Sequence, residues 1–268
     1  MKSCGLLLIV VLTILVLHLF RYTDSFIPTT IINLDRSPER MRNMTLQCYA
    51  YGVPFRRLPA VDGNSYEFTQ AEKDMLFGLA LERDKNIKNT HFKHSKEEQT
   101  ALYEMWEKDP KFKRSKRVMS CALSHIRAWR RYQYTTDPYI LILEDDGTLD
   151  THFRQHVNDT LKNMNRIDPE WDLIWLSGDN PGDRERVLQW NRHEVYRMDP
   201  PDYVGQGTGA YIFSRKGLNR FLNVIETEGC SLASDRFLIA YLDPKHSYGI
   251  HPPIVDIHNS SSPSLIGY

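Results

Sequence analysis

The chain has 268 residues, with 34 lysines and arginines against 34 aspartates and glutamates and a formal net charge of zero. That balance gives no electrostatic case for nucleic acid or an acidic surface as partner; the length suffices for one large domain, or two small ones, with a substantial core. Of the four cysteines, Cys4 stands apart near the N-terminus, and Cys48, Cys121 and Cys230 allow at most one internal disulfide, which excludes a disulfide scaffold.

Residues 5–20 are apolar apart from Thr13 and His18, with Lys2 before them and Arg21 after. The stretch is short for a membrane span and long for the apolar core of a signal peptide. No small-x-small cleavage site follows, so an uncleaved signal anchor is expected in preference to a cleaved signal. Residues 1–4 would be a cytoplasmic tail, 5–21 the span, 22–28 a stem and 29–268 the folded domain. Sequons at Asn43, Asn158 and Asn259 fit lumenal exposure of that domain. The expectation is therefore a single-pass type II protein of the endoplasmic reticulum or Golgi membrane.

Residues 30–34 read as a first strand. Ser37 reads as an N-cap ahead of Pro38, opening a helix that should stop at Gly52. Residues 55–58 suggest a second strand, followed by an Asp62-Gly63 turn. From 69 to 117 the texture is charged and helical, with capping boxes at Thr69/Glu72 and Ser95/Glu98. The basic run at 111–117 fits a solvated face more readily than a phosphate grip. Between 118 and 134, Ala122, Ile126 and Trp129 recur at helical spacing, as in a core-facing helix.

Tyr139-Ile140-Leu141-Ile142-Leu143 then runs straight into Glu144-Asp145-Asp146-Gly147. Five large residues without a polar break read as a strand buried on both faces, and ligands of open α/β sheets bind beyond the carboxyl ends of such strands. Three adjoining carboxylates repel one another, and a hard divalent cation with oxygen ligands would neutralise them and hold a diphosphate. A solvated acidic turn is the alternative. A polar amphipathic segment follows at 150–165, then strands at 171–176 and 209–214 and helices at 216–226 and 236–242. Strand–helix alternation predicts one α/β domain with a mainly parallel sheet flanked by helices.

Six blocks in this order resemble glycosyltransferase family 25, which includes procollagen galactosyltransferases and bacterial lipooligosaccharide galactosyltransferases. They are Ile32-Asn33-Leu34-Asp35-Arg36 with Glu39-Arg40; Ala60-Val61-Asp62-Gly63; Cys121-Ala122-Leu123-Ser124-His125; Leu143-Glu144-Asp145-Asp146; Gly209-Ala210-Tyr211 with Ser214; and Ser234-Asp235-Arg236-Phe237-Leu238. The resemblance covers residues 29–257. It implies a Rossmann-like, type A glycosyltransferase fold that uses a UDP-sugar and Mn²⁺, and transfers a hexose, typically galactose, with inversion to a protein hydroxyl (collagen-like among the possibilities) or a glycan.

Under that resemblance, Asn33, Arg36 and Arg40 would lie near the nucleotide, with Asp62 and Gly63 at the uridine end. Ser124 and His125 would face the donor, although a lone His125 also fits a hydrogen-bonded core histidine. Asp146 is the foremost metal ligand; Glu144 is a second ligand or, with Asp145, a donor contact; His258 could complete the shell. Asp235 matches the family's acid at the start of a short helix. Departures are Arg236, where a second acid is common, and Val118-Met119-Ser120 in place of a glycine pair. An inverting transfer needs one general base besides the metal cluster, and Asp235 is the candidate. Asp179, Asp183 and Asp202 are rivals in Gly/Pro-rich loops. A catalytically silent, membrane-tethered carbohydrate-binding or chaperone-like relative is the alternative function. A metal phosphodiesterase would expect closely spaced histidines, and the ten here are scattered along the chain.

Overall fold

A computed structural model describes residues 26–77, 112–178, 181–198, 207–230 and 233–257. Its elements are β1 (Thr29–Asn33), α1 (Pro38–Ala50), β2 (Arg56–Pro59), α2 (Gln70–Phe77), α3 (Phe112–Arg130), β3 (Tyr139–Glu144), β4 (Thr148–Leu149), α4 (Phe153–Ile167), β5 (Leu173–Trp175), β6 (Arg186–Trp190), β7 (His193–Arg197), β8 (Ala210–Ser214), α5 (Arg215–Glu228), α6 (Ser234–Tyr241), β9 (Ser247–His251) and β10 (Val255–Asp256).

The apolar run ahead of the acidic triplet is β3, and successive side chains leave it on opposite faces. Ile140 and Ile142 join a core with Met119, Ile126 and Trp129 of α3, Phe221 of α5 and Phe237 of α6. Leu141 and Leu143 join a second core with Met44 of α1 and Phe153, Val157 and Met164 of α4. Two buried faces explain why the run has no polar alternation. β1 lies parallel beside β3, with Ile31 opposite Leu143, so both strands end at the same edge of the sheet.

The large sheet has the order β2-β1-β3-β8-β5-β9-β7-β6. It is mixed, which corrects the expectation of a mainly parallel sheet. Parallel ladders join β1 to β2, β1 to β3 and β5 to β9, while β8 runs against both β3 and β5 in the middle of the sheet. The β6–β7 hairpin, antiparallel to β9 at the far edge, adds two more reversals. Its two-residue loop turns at Asn191, φ 50°, a left-handed conformation that asparagine tolerates better than most residues.

Most of the expected elements stand within a few residues of their places. Gly52, φ 64°, follows α1, and Thr69 and Glu72 exchange capping bonds of 3.0 and 3.2 Å. Ser37 makes no side-chain cap bond, leaving Pro38 as the start signal of α1. Helix α3 starts at Phe112, absorbing part of the basic run that the sequence placed ahead of the helix. Among the described residues no helix is long and apolar enough to cross a membrane. The apolar segment 5–21, the Ser95 capping box, Asp179, Asp202, His258 and Asn259 lie outside them. Asn43 and Asn158 are exposed on α1 and α4. Thr160 of the second sequon is buried, its hydroxyl donating to the His156 carbonyl at 2.7 Å.

Helix α5 is held by close backbone approach. The Ser214 hydroxyl caps it by accepting from Gly217 N at 3.0 Å, and a Cβ on Gly217 would stand 2.1 Å from the Asp172 carbonyl oxygen. That oxygen belongs to the backbone and cannot swing aside. Gly217→Ala is therefore expected to destabilise by at least the roughly 1–3 kcal/mol usual for overpacking. Unchanged denaturant stability would contradict this close contact.

Candidate active site

A cleft of about 630 Å³, including its open mouth, lies where β1, β2 and β3 end, with α1 and α3 beside it. The acidic triplet forms its floor. Arg40 projects from α1 and its Nη1 stands 3.3 Å from both Asp145 Oδ1 and Asp146 Oδ2. Asn33, at the end of β1, donates from Nδ2 to Asp145 Oδ2 at 2.6 Å and to the Ser37 carbonyl at 3.0 Å. Its Oδ1 accepts from Arg57 Nε at 2.8 Å. Asn33 is 2% exposed and does not line the cleft. It stands behind the wall and positions Asp145.

Glu144 belongs to a second network. Trp129 Nε1 can only donate, and does so to the Tyr211 hydroxyl at 2.8 Å. Tyr211 in turn donates its hydroxyl hydrogen to His125 Nδ1 at 2.7 Å. His125 then carries its hydrogen on Nε2 and donates to Glu144 Oε1 at 3.1 Å; the tautomer follows from this chain of bonds. The same Glu144 oxygen accepts from Thr208 Oγ1 at 2.7 Å, and Thr208 lies 3.1 Å from Ser234 Oγ. Thus His125 is both the buried, hydrogen-bonded histidine and a lining residue of the cleft.

These surroundings split the three carboxyls. Burial pushes each up; in Glu144 the hydrogen bonds from His125 and Thr208 and the Arg40 charge outweigh it, and the net shift is downward. Burial dominates in Asp145, against Asn33 and Arg40. Asp146 is pushed up to about 7 by burial and then by the Glu144 charge, with Arg40 opposing. One guanidinium shared by two aspartates leaves the triplet short of positive charge, and carboxylate oxygens are the donor type that a hard divalent cation takes. Asp146 would hold it, with Glu144 and Asp145 alongside. The cleft group whose donor atoms converge within 4.8 Å of one another is Cys121, His125 and Glu144 rather than the three acids, but both His125 nitrogens are engaged. Burial and the Glu144 charge, moreover, keep the Cys121 thiol well above its ordinary range.

A carboxyl whose native pKa exceeds its unfolded value costs native stability once the unfolded chain ionises. For Asp146 that cost grows from about pH 4 to about pH 7, and a bound cation removes it. Cation uptake near pH 6–7 should therefore release a proton. Calorimetry in buffers of different ionisation enthalpy would detect it; a buffer-independent heat would contradict the assignment.

At the mouth, Arg36 Nε pairs with Asp62 Oδ2 at 2.7 Å. Gly63 is required for packing, since a Cβ there would meet the Arg117 backbone at 2.8 Å. Ser124 Oγ accepts from Val61 N at 2.9 Å and donates to the Ser120 carbonyl at 2.7 Å, fastening the β2 exit to α3. Asp235 is the second residue of α6, beside Ser234. It does not line the cleft, although its charge reaches Cys121 in the cleft wall. Asp183 lies in an exposed turn. Arg57 and Thr208 carry no sequence signal for the site; Tyr211 lies in a matching block, and Trp129 is marked only as a core-facing residue of α3.

A family profile described as "Glycosyltransferase family 25 (LPS biosynthesis protein)" matches residues 26–238. An α/β fold with a mixed sheet flanked by helices, and an acidic, arginine-bearing cleft at its strand ends, are the setting of that match, and the chain belongs to glycosyltransferase family 25. It is 29% identical over 196 residues to a "Glycosyltransferase 25 family member" of Aedes aegypti, covering 72% of this chain and 27% of the relative. It is 25% identical over 255 residues to "Procollagen galactosyltransferase 1-B" of Xenopus laevis, covering 91% of this chain and 36% of the relative. The chain thus spans about a third or less of the length of these relatives. Mouse xyloside xylosyltransferase 1, apo form, aligns over 80% of this chain and 67% of its own at 9% identity and a TM-score of 0.30, too distant to bear on the assignment.

Proposed function

We propose that the chain is a divalent-metal-dependent transferase that moves a hexose, galactose in the first instance, from a UDP-sugar to a hydroxyl of a protein or glycan, with inversion at C1. The observation that carries this reading is the acidic triplet lining the cleft at the strand ends, with the one Arg40 guanidinium 3.3 Å from both Asp145 and Asp146. A cation there would neutralise the diphosphate of the departing UDP. Arg36 and Arg40 add guanidinium donors suited to phosphate oxygens. The His125–Glu144–Thr208–Ser234 chain fixes the wall against which the sugar would lie. As the C1–O bond to UDP breaks and the bond from the acceptor oxygen forms, Asp235 takes the acceptor's proton. Galactose as the sugar and a collagen-like acceptor rest on the names of the Xenopus relatives.

The test is the anomeric configuration of the product. UDP-galactose is an α-glycoside, so NMR of the product should show a β-galactoside, and an α-product would overturn inversion. The proposal includes type II anchoring by residues 5–21, with the domain in the lumen. Mobility unaltered by endoglycosidase, together with protease access in sealed microsomes, would overturn that topology.

A further inference from the structure

A second group of metal-ligating side chains lies outside the cleft. Asp150 follows β4, His156 is on α4 and His193 opens β7; one donor atom from each lies within 4.8 Å of the others, and none of the three lines the cleft. Both imidazoles are buried: His193 is 0% exposed and His156 7%. His193 Nδ1 donates to the Pro252 carbonyl at 2.8 Å, which leaves Nε2 as a bare lone pair. That nitrogen has no hydrogen-bond partner, nor has His156 Nδ1. The latter stands 3.3 Å from Asp150 Oδ1 without hydrogen-bond geometry. The two rings meet edge to face, their centroids 4.5 Å apart.

Burying two unsatisfied imidazole nitrogens against one carboxylate is costly unless something binds all three. We infer that Asp150, His156 and His193 form a zinc site separate from the nucleotide cleft. Two imidazoles and one carboxylate suit borderline Zn²⁺ better than Mg²⁺ or Mn²⁺, which prefer all-oxygen shells. Zn–N and Zn–O bonds of about 2.0–2.2 Å place tetrahedral donors roughly 3.3–3.5 Å apart. The Asp150–His156 pair already has that separation, and His193 needs to close by no more than about 1.5 Å. The supporting bonds are those of a ligated site. A backbone carbonyl orients His193, His152 N donates to Asp150 Oδ1 at 2.9 Å, and Arg192 pairs with Asp150 Oδ2. The ion would join α4, the β6–β7 hairpin and the β9–β10 corner, where Asp150 N donates to the Ile254 carbonyl at 3.0 Å. Its work is to pin an edge hairpin.

The test uses the full chain, stripped by chelator and titrated with Zn²⁺ while UDP and Mn²⁺ saturate the cleft. About one zinc per chain should survive dialysis and raise the melting temperature, and Co²⁺ should give the visible bands of a tetrahedral site. His193→Gln and Asp150→Asn should each weaken zinc by at least about tenfold, while Asp146→Ala should retain it. X-ray absorption on the zinc-loaded wild type needs no variant and should show two imidazoles around the metal. No zinc retained by the folded wild type, one imidazole or none in the shell, or equal zinc affinity in folded His193→Gln would each overturn the site.

Discussion

Asp235→Asn is expected to lower turnover by about 10²–10⁴-fold, the usual contribution of general-base catalysis, and to leave UDP affinity close to normal. Asparagine keeps the shape and can accept a hydrogen bond but cannot take a proton at neutral pH. The side chain does not cap its helix: the N-cap of α6 is Ala233, with no side-chain cap bond, and Asp235 Oδ1 accepts from Arg236 N at 2.8 Å. Loss of its charge at the helix N-terminus should cost about 0.3–1 kcal/mol, too little to unfold the protein. A small change in melting temperature with a large loss of turnover supports the base. Near-normal turnover in the variant would remove Asp235 from the mechanism.

Asp146→Ala should act on the donor instead. With the carboxyl gone, Mn²⁺-dependent UDP affinity is expected to fall at least about tenfold. Above pH 7 the cation-free variant should be more stable than the cation-free wild type, because it no longer holds an ionised carboxylate against burial and Glu144. A merely structural aspartate predicts the opposite stability change. Calorimetry showing equal UDP affinity in both proteins with Mn²⁺ would contradict the metal assignment.

The floor of the cleft was legible because its signals are local. The unbroken run 139–143 and the abutting acids follow from a strand buried on both faces, and Ala122, Ile126 and Trp129 mark the inner face of α3. Contacts set by strand order were not. His125 meets Tyr211 across 86 residues only because β8 is inserted beside β3, and nothing local in residues 210–214 says which way that strand runs. Asn33 was placed near the nucleotide by the family resemblance alone; its bonds to Asp145 and Arg57, which no local pattern announces, make it a support of the acidic triplet. The β6–β7 hairpin was missed because β6 is half exposed and its turn lacks the Asn-Gly pair that signals a tight loop. Missing that hairpin also hid the pairing of His156 with His193 among histidines that look scattered in sequence.

The most direct measurement is UDP release from UDP-galactose by the purified chain, with Mn²⁺, with EDTA, and with Mn²⁺ restored. The expected result is release that requires the cation, exceeds that from other UDP-sugars and is lost in Asp146→Ala. No release from any UDP-sugar by folded protein that still binds glycan would identify a carbohydrate-binding relative and contradict the transferase.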